Sequence, residues 1–376
     1  MGIHSREPKC RRGLAMIVMI IFGSLLSVFV SPINDKRERK TLAGPSETVQ
    51  GVMAVHSELL PEKKLSICIG NLLDQREFYY EKEKNGFLDS SRLISKTGPC
   101  WLRRYTVEHA VTCFDRLDSN RDKLETNPVL NRRKQLRFVF MGDSRIRQQF
   151  LNFIRLIPDY DKQSLPNPIP FHHHGDIEIT SDILGVRVSF KWRPLINDNV
   201  TETIRQWAIT DSPERPYWIF LSMTAWHMLQ GYGADYQLYQ KKISELGPLL
   251  GQLANVSQVI WLHQYPSVDF YGGIRASNTD IVSEKIYGYN KITRKILESL
   301  RTRIRIWDSS NPLVEEYTRD CTILKRDEKA KIGDPSVPMD YASAYFNCDD
   351  YIHTGYAALS QATQLLFNDI CNSQME

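Results

Sequence analysis

The chain has 376 residues, of which 42% are apolar and 24% are charged, a composition typical of a globular protein with a large core. Its formal net charge is only +4 and its lysines and arginines are scattered, which excludes a strongly basic nucleic-acid-binding protein. We therefore expect no nucleic-acid partner.

The N-terminus predicts a membrane anchor. Leu14 to Val30 is a 17-residue apolar stretch without a charge, near the shortest length that spans a bilayer, and two arginines precede it. A cleavable signal peptide is the alternative, but the exit of the stretch lacks well-placed small residues for cleavage. We expect a cytosolic tail over 1–13, a transmembrane signal anchor over 14–31 and a polar stem over 32–63.

Cysteines and glycosylation sequons predict the compartment of the remaining residues, 64–376. An even number of cysteines follows the anchor without any metal-binding spacing, which suits up to three disulfides in an oxidising lumen, with fifteen possible pairings. These cysteines are Cys68, Cys100, Cys113, Cys321, Cys348 and Cys371. Asn199 and Asn255 begin Asn-x-Ser/Thr sequons, which agrees with a lumenal domain.

The lumenal part begins with a cysteine-bearing segment of mixed periodicity, Lys64 to about Leu117, after which strands and helices alternate. The predicted strands are Arg137–Met141, Val186–Trp192, Tyr217–Ser222, Val259–Leu262 and Ile304–Trp307. The predicted helices are Arg145–Leu156, Asp235–Leu253, Thr279–Leu300 and Thr354–Cys371. This alternation indicates an α/β domain with a parallel sheet covered on both faces.

A candidate nucleophile lies at the end of the first of these strands. Gly142-Asp143-Ser144 stands where the next helix begins, and open parallel sheets bind ligands at the carboxyl ends of their strands. Amides at a helix N-terminus stabilise an oxyanion there. An ordinary helix cap is the alternative interpretation, because Asp and Ser both cap helices well.

A serine nucleophile needs a base, and the base needs an acceptor that orients it. Asp350 and His353 lie in one turn just before the last helix. In a doubly wound sheet this turn and Ser144 can meet at one edge, so we predict a Ser144–His353–Asp350 triad. The alternative is a helix-capping acid beside a surface histidine.

Other histidines are weaker candidates. The consecutive residues His172–His174 point to alternate faces of an extended segment, so we expect no metal site. His227 and His263 each follow an apolar strand, and they either line the pocket or are hydrogen-bonded core residues.

Several segments resemble the lumenal domain of sialate O-acetyltransferases, an SGNH/GDSL-type, PC-esterase-like domain of the capsule-synthesis-domain-containing family, related to plant polysaccharide O-acetyltransferases. The segments are Phe140–Phe150 around the serine, Cys100–Tyr105 with Cys113, His174–Ile179 with Val188–Pro194, Ser222–Trp226, and Asp350–His353. The resemblance covers about residues 66–372. It implies a three-layer α/β/α, flavodoxin-like parallel sheet.

The resemblance also implies roles for individual residues. Ser144 accepts the acyl group, His353 is the general base and acid, and Asp350 orients His353. Around them, the substrate and oxyanion candidates are Gly142, Asp143, Arg147, Arg193, Thr224 and Trp226.

Two of these roles are more specific. Arg147 matches a family arginine that binds the acyl oxygen or an anionic acceptor, and Arg193 is a candidate for holding an anionic or nucleotide-linked sugar. The hydrolase pattern has an asparagine where this chain has Thr224 to Trp226, so backbone amides at Ser144, acting with Arg147, are the expected oxyanion donors.

The implied activity is O-acetylation of glycan hydroxyls, on sialic acid or another sugar, by a type II Golgi membrane protein that is secreted if its N-terminal segment is cleaved. A carbohydrate acetylesterase or a catalytically silent glycan-binding module is the alternative. We expect no bound cofactor, with acetyl-CoA as the ultimate acyl donor. The sialate enzymes continue into a many-helix membrane domain, and past residue 31 this sequence has no comparable apolar stretch. A separate polytopic acetyl-donor membrane protein is therefore an expected partner.

Overall fold

The computed structural model of the chain describes residues 65–124, 135–169, 174–209, 214–267, 281–317, 352–353 and 356–372. The predicted tail, anchor and stem lie outside these residues, as do Asp350, Cys321 and Cys348. Within the described ranges, no helix combines the length and the apolar character needed to cross a membrane.

The cysteine-bearing segment forms a small sheet of four strands. They are β1 (Ser66–Ile67), β2 (Phe78–Lys82), β3 (Leu88–Ser95) and β4 (Gly98–Trp101), in the order β1-β4-β3-β2. β1 runs parallel to β4, and the other pairs are antiparallel. A disulfide between Cys68 and Cys100 joins the residue after β1 to β4. On the inner face of this small sheet, Leu93 is fully inaccessible to solvent.

The main sheet has seven strands. They are β5 (Leu136–Gly142), β6 (Gln163–Leu165), β7 (Ile177–Ser181), β8 (Val186–Trp192), β9 (Trp218–Ser222), β10 (Gln258–Leu262) and β11 (Arg305–Trp307). Their order is β11-β10-β9-β5-β8-β7-β6, and β5 lies between β8 and β9. The five strands from β11 to β8 are parallel.

The predicted parallel sheet is confirmed for five strands, but one edge of the sheet is antiparallel. β7 runs antiparallel to both β6 and β8. The reason is local: only 182–185 separate β7 from β8, and a connection this short joins antiparallel neighbours, whereas a parallel pair needs a crossover. The positive φ of Gly185, 61°, completes the turn.

Seven helices accompany the sheets in the described residues. They are α1 (Val107–Leu124), α2 (Ser144–Phe153), α3 (Asp198–Ala208), α4 (Tyr236–Leu253), α5 (Ser283–Ser299), α6 (described over 311–317) and α7 (Tyr356–Asn372). The predicted helices correspond to α2, α4, α5 and α7, and the predicted strands to β5, β8, β9, β10 and β11. The small sheet, α1, α3, α6, β6 and β7 were not predicted.

Helices cover both faces of the main sheet. β5 is apolar on both sides: Phe138 and Phe140 enter a core with α1, α2 and α7, whereas Val139 and Met141 enter a core with α3, α4 and α5. Since alternate residues of a strand point to opposite faces, this division makes a three-layer α/β/α arrangement. β5 is therefore a central strand, with a neighbouring strand on each side and helices packed on both faces of the sheet.

Candidate active site

A tight turn places Ser144 at the carboxyl end of the central strand. β5 ends at Gly142 and α2 begins at Ser144. Gly142 has a φ of 152°, and a Cβ atom there would lie 1.8 Å from the backbone oxygen of Ser222 at the end of β9. Only glycine allows this approach. The backbone N–H of Asp143 donates to that same oxygen at 3.2 Å, which holds the turn against β9.

Asp143 caps the helix that carries the serine. Its side chain is fully buried and accepts hydrogen bonds from the backbone N–H of Arg145 at 3.0 Å, the N–H of Ala225 at 3.3 Å and Gln264 Nε2 at 3.4 Å. Burial raises the pKa of the Asp143 carboxyl, and the nearby Arg145 guanidinium opposes that rise. With no exposed surface, Asp143 supports the turn rather than contacting a substrate.

Ser144 and His353 meet although 209 residues separate them. His353 Nε2 lies 2.7 Å from Ser144 Oγ, and both side chains are half-buried. For the imidazole to take the hydroxyl proton, Nε2 must be its unprotonated nitrogen, which leaves Nδ1 as a donor that needs an acceptor. Asp350, predicted to be that acceptor, lies outside the described residues, so its role stays a prediction.

Arg145 connects the start of α2, which carries Ser144, to the segment that carries His353. Its buried guanidinium donates to the backbone oxygen of Ile352 from both Nε, at 3.1 Å, and Nη2, at 2.8 Å. Nη1 donates to Gln264 Oε1 at 3.0 Å and to the backbone oxygen of Tyr265, whose ring centroid lies 4.2 Å from the guanidinium carbon. Because Ile352 directly precedes His353, Arg145, the residue after Ser144, holds the segment that carries His353.

The role of Arg145 was not identified from the sequence. A lone arginine in the first turn of an amphipathic helix is usually solvated. The sequence did offer one indication, which is the position of Arg145 directly after Ser144. Backbone carbonyls of the neighbouring strands line the carboxyl edge of the sheet, and an arginine at this position can donate to them.

The oxyanion candidates Thr224 and Arg147 are both buried. Thr224 is buried, and its hydroxyl lies 3.1 Å from that of Tyr239, which in turn lies 2.7 Å from Thr293 Oγ1. Arg147 is only 8% exposed, and burial lowers the pKa of its guanidinium. The N–H of Ser144, at the first position of α2, has no acceptor within the helix and lies at the positive end of its dipole.

Arg193 and Trp226 lie at the same edge of the sheet. The N–H of Arg193 donates to the backbone oxygen of Gly142 at 2.9 Å, and its guanidinium pairs with Asp176, with Nη1 and Oδ1 2.8 Å apart. Trp226 is half-buried and packs against Trp192, their ring centroids 5.5 Å apart. Both are thus near the start of α2, and Arg193 already has an anionic partner.

The other histidines lie elsewhere. His227 Nε2 accepts the N–H of Ile196 at 3.0 Å, and burial lowers the pKa of His227 to about 4. His263 is buried beside Asp308, and burial lowers its pKa to about 3. His227 is therefore a hydrogen-bonded core residue, the second of the two interpretations. His263 is a core residue as well, but its buried Nε2 has no hydrogen-bond partner among the described residues. His172 and His173 lie outside the described residues.

Both sequons are accessible, at different edges of the sheet. Asn199 is exposed in the first turn of α3, beside the carboxyl ends of the strands. Asn255 is exposed after α4 and lines a cavity of about 230 Å³ with Tyr217 and Arg303. That cavity lies at the amino ends of β9 and β10, away from Ser144.

The chain was compared with known proteins. No family model matches it. One curated relative, the N-acetylneuraminate (7)9-O-acetyltransferase of Danio rerio, is 26% identical to it over 187 residues. The match covers 49% of this chain and 22% of the relative, so the chain spans less than a quarter of that relative's length. This similarity supports a relationship to an O-acetyltransferase family.

Proposed function

We propose that the chain is an O-acetyltransferase of the SGNH/GDSL type that acetylates sugar hydroxyls, with sialic acid as the first candidate acceptor. The observation that carries the proposal is the 2.7 Å approach of His353 Nε2 to Ser144 Oγ at the start of α2. The similarity to the Danio rerio enzyme supports acetyl as the acyl group and neuraminate as the acceptor.

The first half-reaction forms an acetyl-enzyme. Ser144 Oγ attacks the carbonyl carbon of an acetyl donor while His353 Nε2 takes the hydroxyl proton. The oxyanion of the tetrahedral intermediate accepts from the N–H of Ser144 at the helix N-terminus. The intermediate collapses as the bond to the donor's leaving group breaks, and His353 returns its proton to that group. An acetyl ester on Ser144 remains.

The second half-reaction transfers the acetyl group. The acceptor hydroxyl gives its proton to His353 Nε2 and attacks the ester carbonyl, and the bond to Ser144 Oγ breaks as the proton returns to the serine. Asp350 orients the imidazole by accepting from Nδ1, and Arg145 holds the backbone of the preceding residue, Ile352.

Hydrolysis is the second candidate activity, and one observation favours it. Ser144 and His353 are half-buried rather than sealed, so water reaches the acetyl-enzyme as well as a sugar hydroxyl does. Water attack with the same proton transfers would release acetate and make the protein a carbohydrate acetylesterase. We expect slow hydrolysis to accompany transfer.

The cellular setting belongs to the same proposal. Two disulfides, Cys68–Cys100 and Cys113–Cys371, suit the oxidising lumen of the secretory pathway. We place the domain in the Golgi lumen, anchored as a type II protein through residues 14–31. Acetyl groups would then come from cytosolic acetyl-CoA by way of a polytopic membrane protein.

Labelling of the nucleophile tests the proposal. The purified chain is treated with a fluorophosphonate and mapped by mass spectrometry, and the adduct is expected on Ser144 because its Oγ lies within hydrogen-bond reach of His353 Nε2. Ser144→Ala should abolish labelling. Ser244→Ala, at an exposed serine on α4, is the matched control and should label normally.

Kinetics of acetyl transfer then test the pair as a unit. His353→Ala should lose about as much activity as Ser144→Ala, and the double variant should lose little more, since triad losses are not additive. His109→Ala, at an exposed histidine on α1, is the control for His353. Summed losses in the double variant, or full labelling of Ser144→Ala, would refute the acyl-enzyme mechanism.

A further inference from the structure

Four aromatic rings gather at the edge of the sheet that carries Ser144. The ring of His174 stacks on that of Trp192, with centroids 4.4 Å apart and planes inclined by 8°. Trp192 meets Trp226 edge to face at 5.5 Å, and Trp226 packs on Tyr232 at 4.6 Å. These four side chains, His174, Trp192, Trp226 and Tyr232, are called the aromatic wall below.

The sheet order places this wall across the end of the central strand. Trp192 is the last residue of β8 and pairs in register with Gly142, the last residue of β5. Trp226 follows β9, whose last residue, Ser222, also pairs with Gly142. Because β5 lies between β8 and β9, a contact between Trp192 and Trp226 has to cross the end of β5, where α2 begins.

Two rings of the aromatic wall pack on the hydrophobic cores, and the other two are exposed to solvent. Trp192 packs on the core that contains α2, and Trp226 packs on the core on the opposite face of the sheet. His174 is exposed, and Tyr232 is 54% exposed. Rings fixed in this way lose little conformational entropy when a ligand binds them. A hydrophobic core alone would bury such rings rather than leave them at the surface.

A polar cleft adjoins the aromatic wall at Trp192. It has a volume of about 490 Å³ and is lined by Trp192, Arg193 and polar side chains of α3, including Glu202 and Gln206. This volume is within the range of small-molecule sites. The combination of fixed aromatic rings and hydrogen-bonding groups matches the chemistry of a sugar, which has an apolar C–H face and a rim of hydroxyls.

We infer that the aromatic wall is the acceptor subsite and binds the apolar face of a pyranose ring, with the hydroxyl to be acetylated directed toward Ser144. The rest of the glycan extends into the cleft along α3. The inference rests on the proposed function for the reaction at Ser144, whereas sugar binding itself depends only on the wall and the cleft.

Footprinting with hydroxyl radicals tests the wall directly. The full chain, after enzymatic removal of any glycan at Asn199, is oxidised with and without the methyl α-glycoside of N-acetylneuraminic acid, and with methyl β-galactoside for comparison. Oxidation of Trp192, Trp226 and Tyr232 should fall about threefold or more with a bound sugar. Tyr287, a 69% exposed tyrosine on α5, serves as the internal control and should not change.

A variant provides the second measurement. Tyr232→Ala removes an exposed ring from a turn, so the fold is expected to survive. It should raise KM for the acceptor sugar about fivefold to tenfold with kcat changed less than about twofold, because ring contacts of this kind contribute to binding rather than to chemistry. Tyr287→Ala should change neither constant.

The outcomes separate this inference from the proposed function. If fluorophosphonate labels Ser144 but neither sugar protects the aromatic wall, the acceptor subsite is ruled out. The assignment of Ser144 as the nucleophile is then retained. If a sugar protects the aromatic wall but Ser144 is not labelled, the sugar site is supported and the acyl-enzyme mechanism is ruled out. Equal protection of Tyr287, or an unchanged KM in Tyr232→Ala, would also overturn the subsite.

Discussion

At Ser144 and Arg145, neighbouring side chains take separate roles. Ser144 faces His353, whereas Arg145 turns into the protein and binds the backbone oxygen of Ile352. His353 belongs to a short segment rather than to a strand, so its position depends on such contacts. A planar guanidinium presents five N–H donors in a fixed arrangement, which the three donors of an ammonium cannot reproduce.

Arg145→Lys is therefore expected to lower kcat for acetyl-ester hydrolysis about tenfold to a hundredfold, with KM changed less than about threefold. Lysine keeps the charge but cannot donate twice to the Ile352 oxygen while also reaching Gln264 and Tyr265. Steady-state kinetics and the rate of fluorophosphonate labelling measure the effect. Arg155→Lys, at the exposed end of the same helical segment, is the control. An unchanged kcat would mean that His353 is positioned independently of Arg145.

His227 predicts how stability depends on pH. Its folded pKa of about 4 lies below the ordinary histidine value, so the unfolded chain binds a proton that the folded chain does not. The free energy of unfolding should therefore fall as pH drops from about 6.5 toward 4, by about 2 kcal/mol between pH 7 and pH 5 from this residue. Urea unfolding at both pH values measures the change.

His227→Gln is the variant that isolates this contribution. Glutamine keeps an acceptor for the Ile196 N–H but does not titrate. The variant should lose about 2 kcal/mol less than the wild type on acidification. An identical pH dependence in His227→Gln would show that His227 is not buried as a neutral ring.

At the scale of elements, the turn between β5 and α2 depends on a single glycine. Gly142→Ala should destabilise the protein by at least about 3 kcal/mol, because the new Cβ would overlap the Ser222 oxygen and force β5 and β9 apart. Gly185→Ala is the matched control: its φ is also positive, but nothing lies within 4 Å of a Cβ there, so about 1 kcal/mol is expected. Denaturation midpoints compare the two. Similar losses would mean that the backbone relaxes around the methyl group.

At the scale of the molecule, the two disulfides constrain loops of very different length. Cys113–Cys371 joins α1 to α7 across 258 residues, and Cys68–Cys100 spans 32. In the chain-entropy model, replacing both cysteines of the longer pair by serine should cost about 2 kcal/mol more than replacing both of the shorter pair. Chemical denaturation of the two double variants measures this difference, and non-reducing peptide mapping checks the pairing. Equal losses would show that native-state packing outweighs loop entropy.

Local patterns determined much of this protein. The apolar runs of β5 and β9 and the helical spacing of α2, α4 and α5 are properties of neighbouring residues, so they were predicted to within a few residues. The position of Ser144 between a strand and a helix followed from the same logic. A helix cap was the alternative interpretation of the Gly-Asp-Ser triplet, so the role of Ser144 as a nucleophile stays a prediction. An even number of cysteines predicted disulfides but not which cysteines pair.

Tertiary structure decided what depends on partners distant in sequence. The approach of His353 to Ser144, the pairing of Cys113 with Cys371 and the inward turn of Arg145 each join segments separated by more than a hundred residues. The hydrogen bond between Thr224 and Tyr239 likewise depends on the packing of α4 beside the end of β9. Periodicity encodes which face of an element is apolar, whereas only the packed sheet selects which element that face meets.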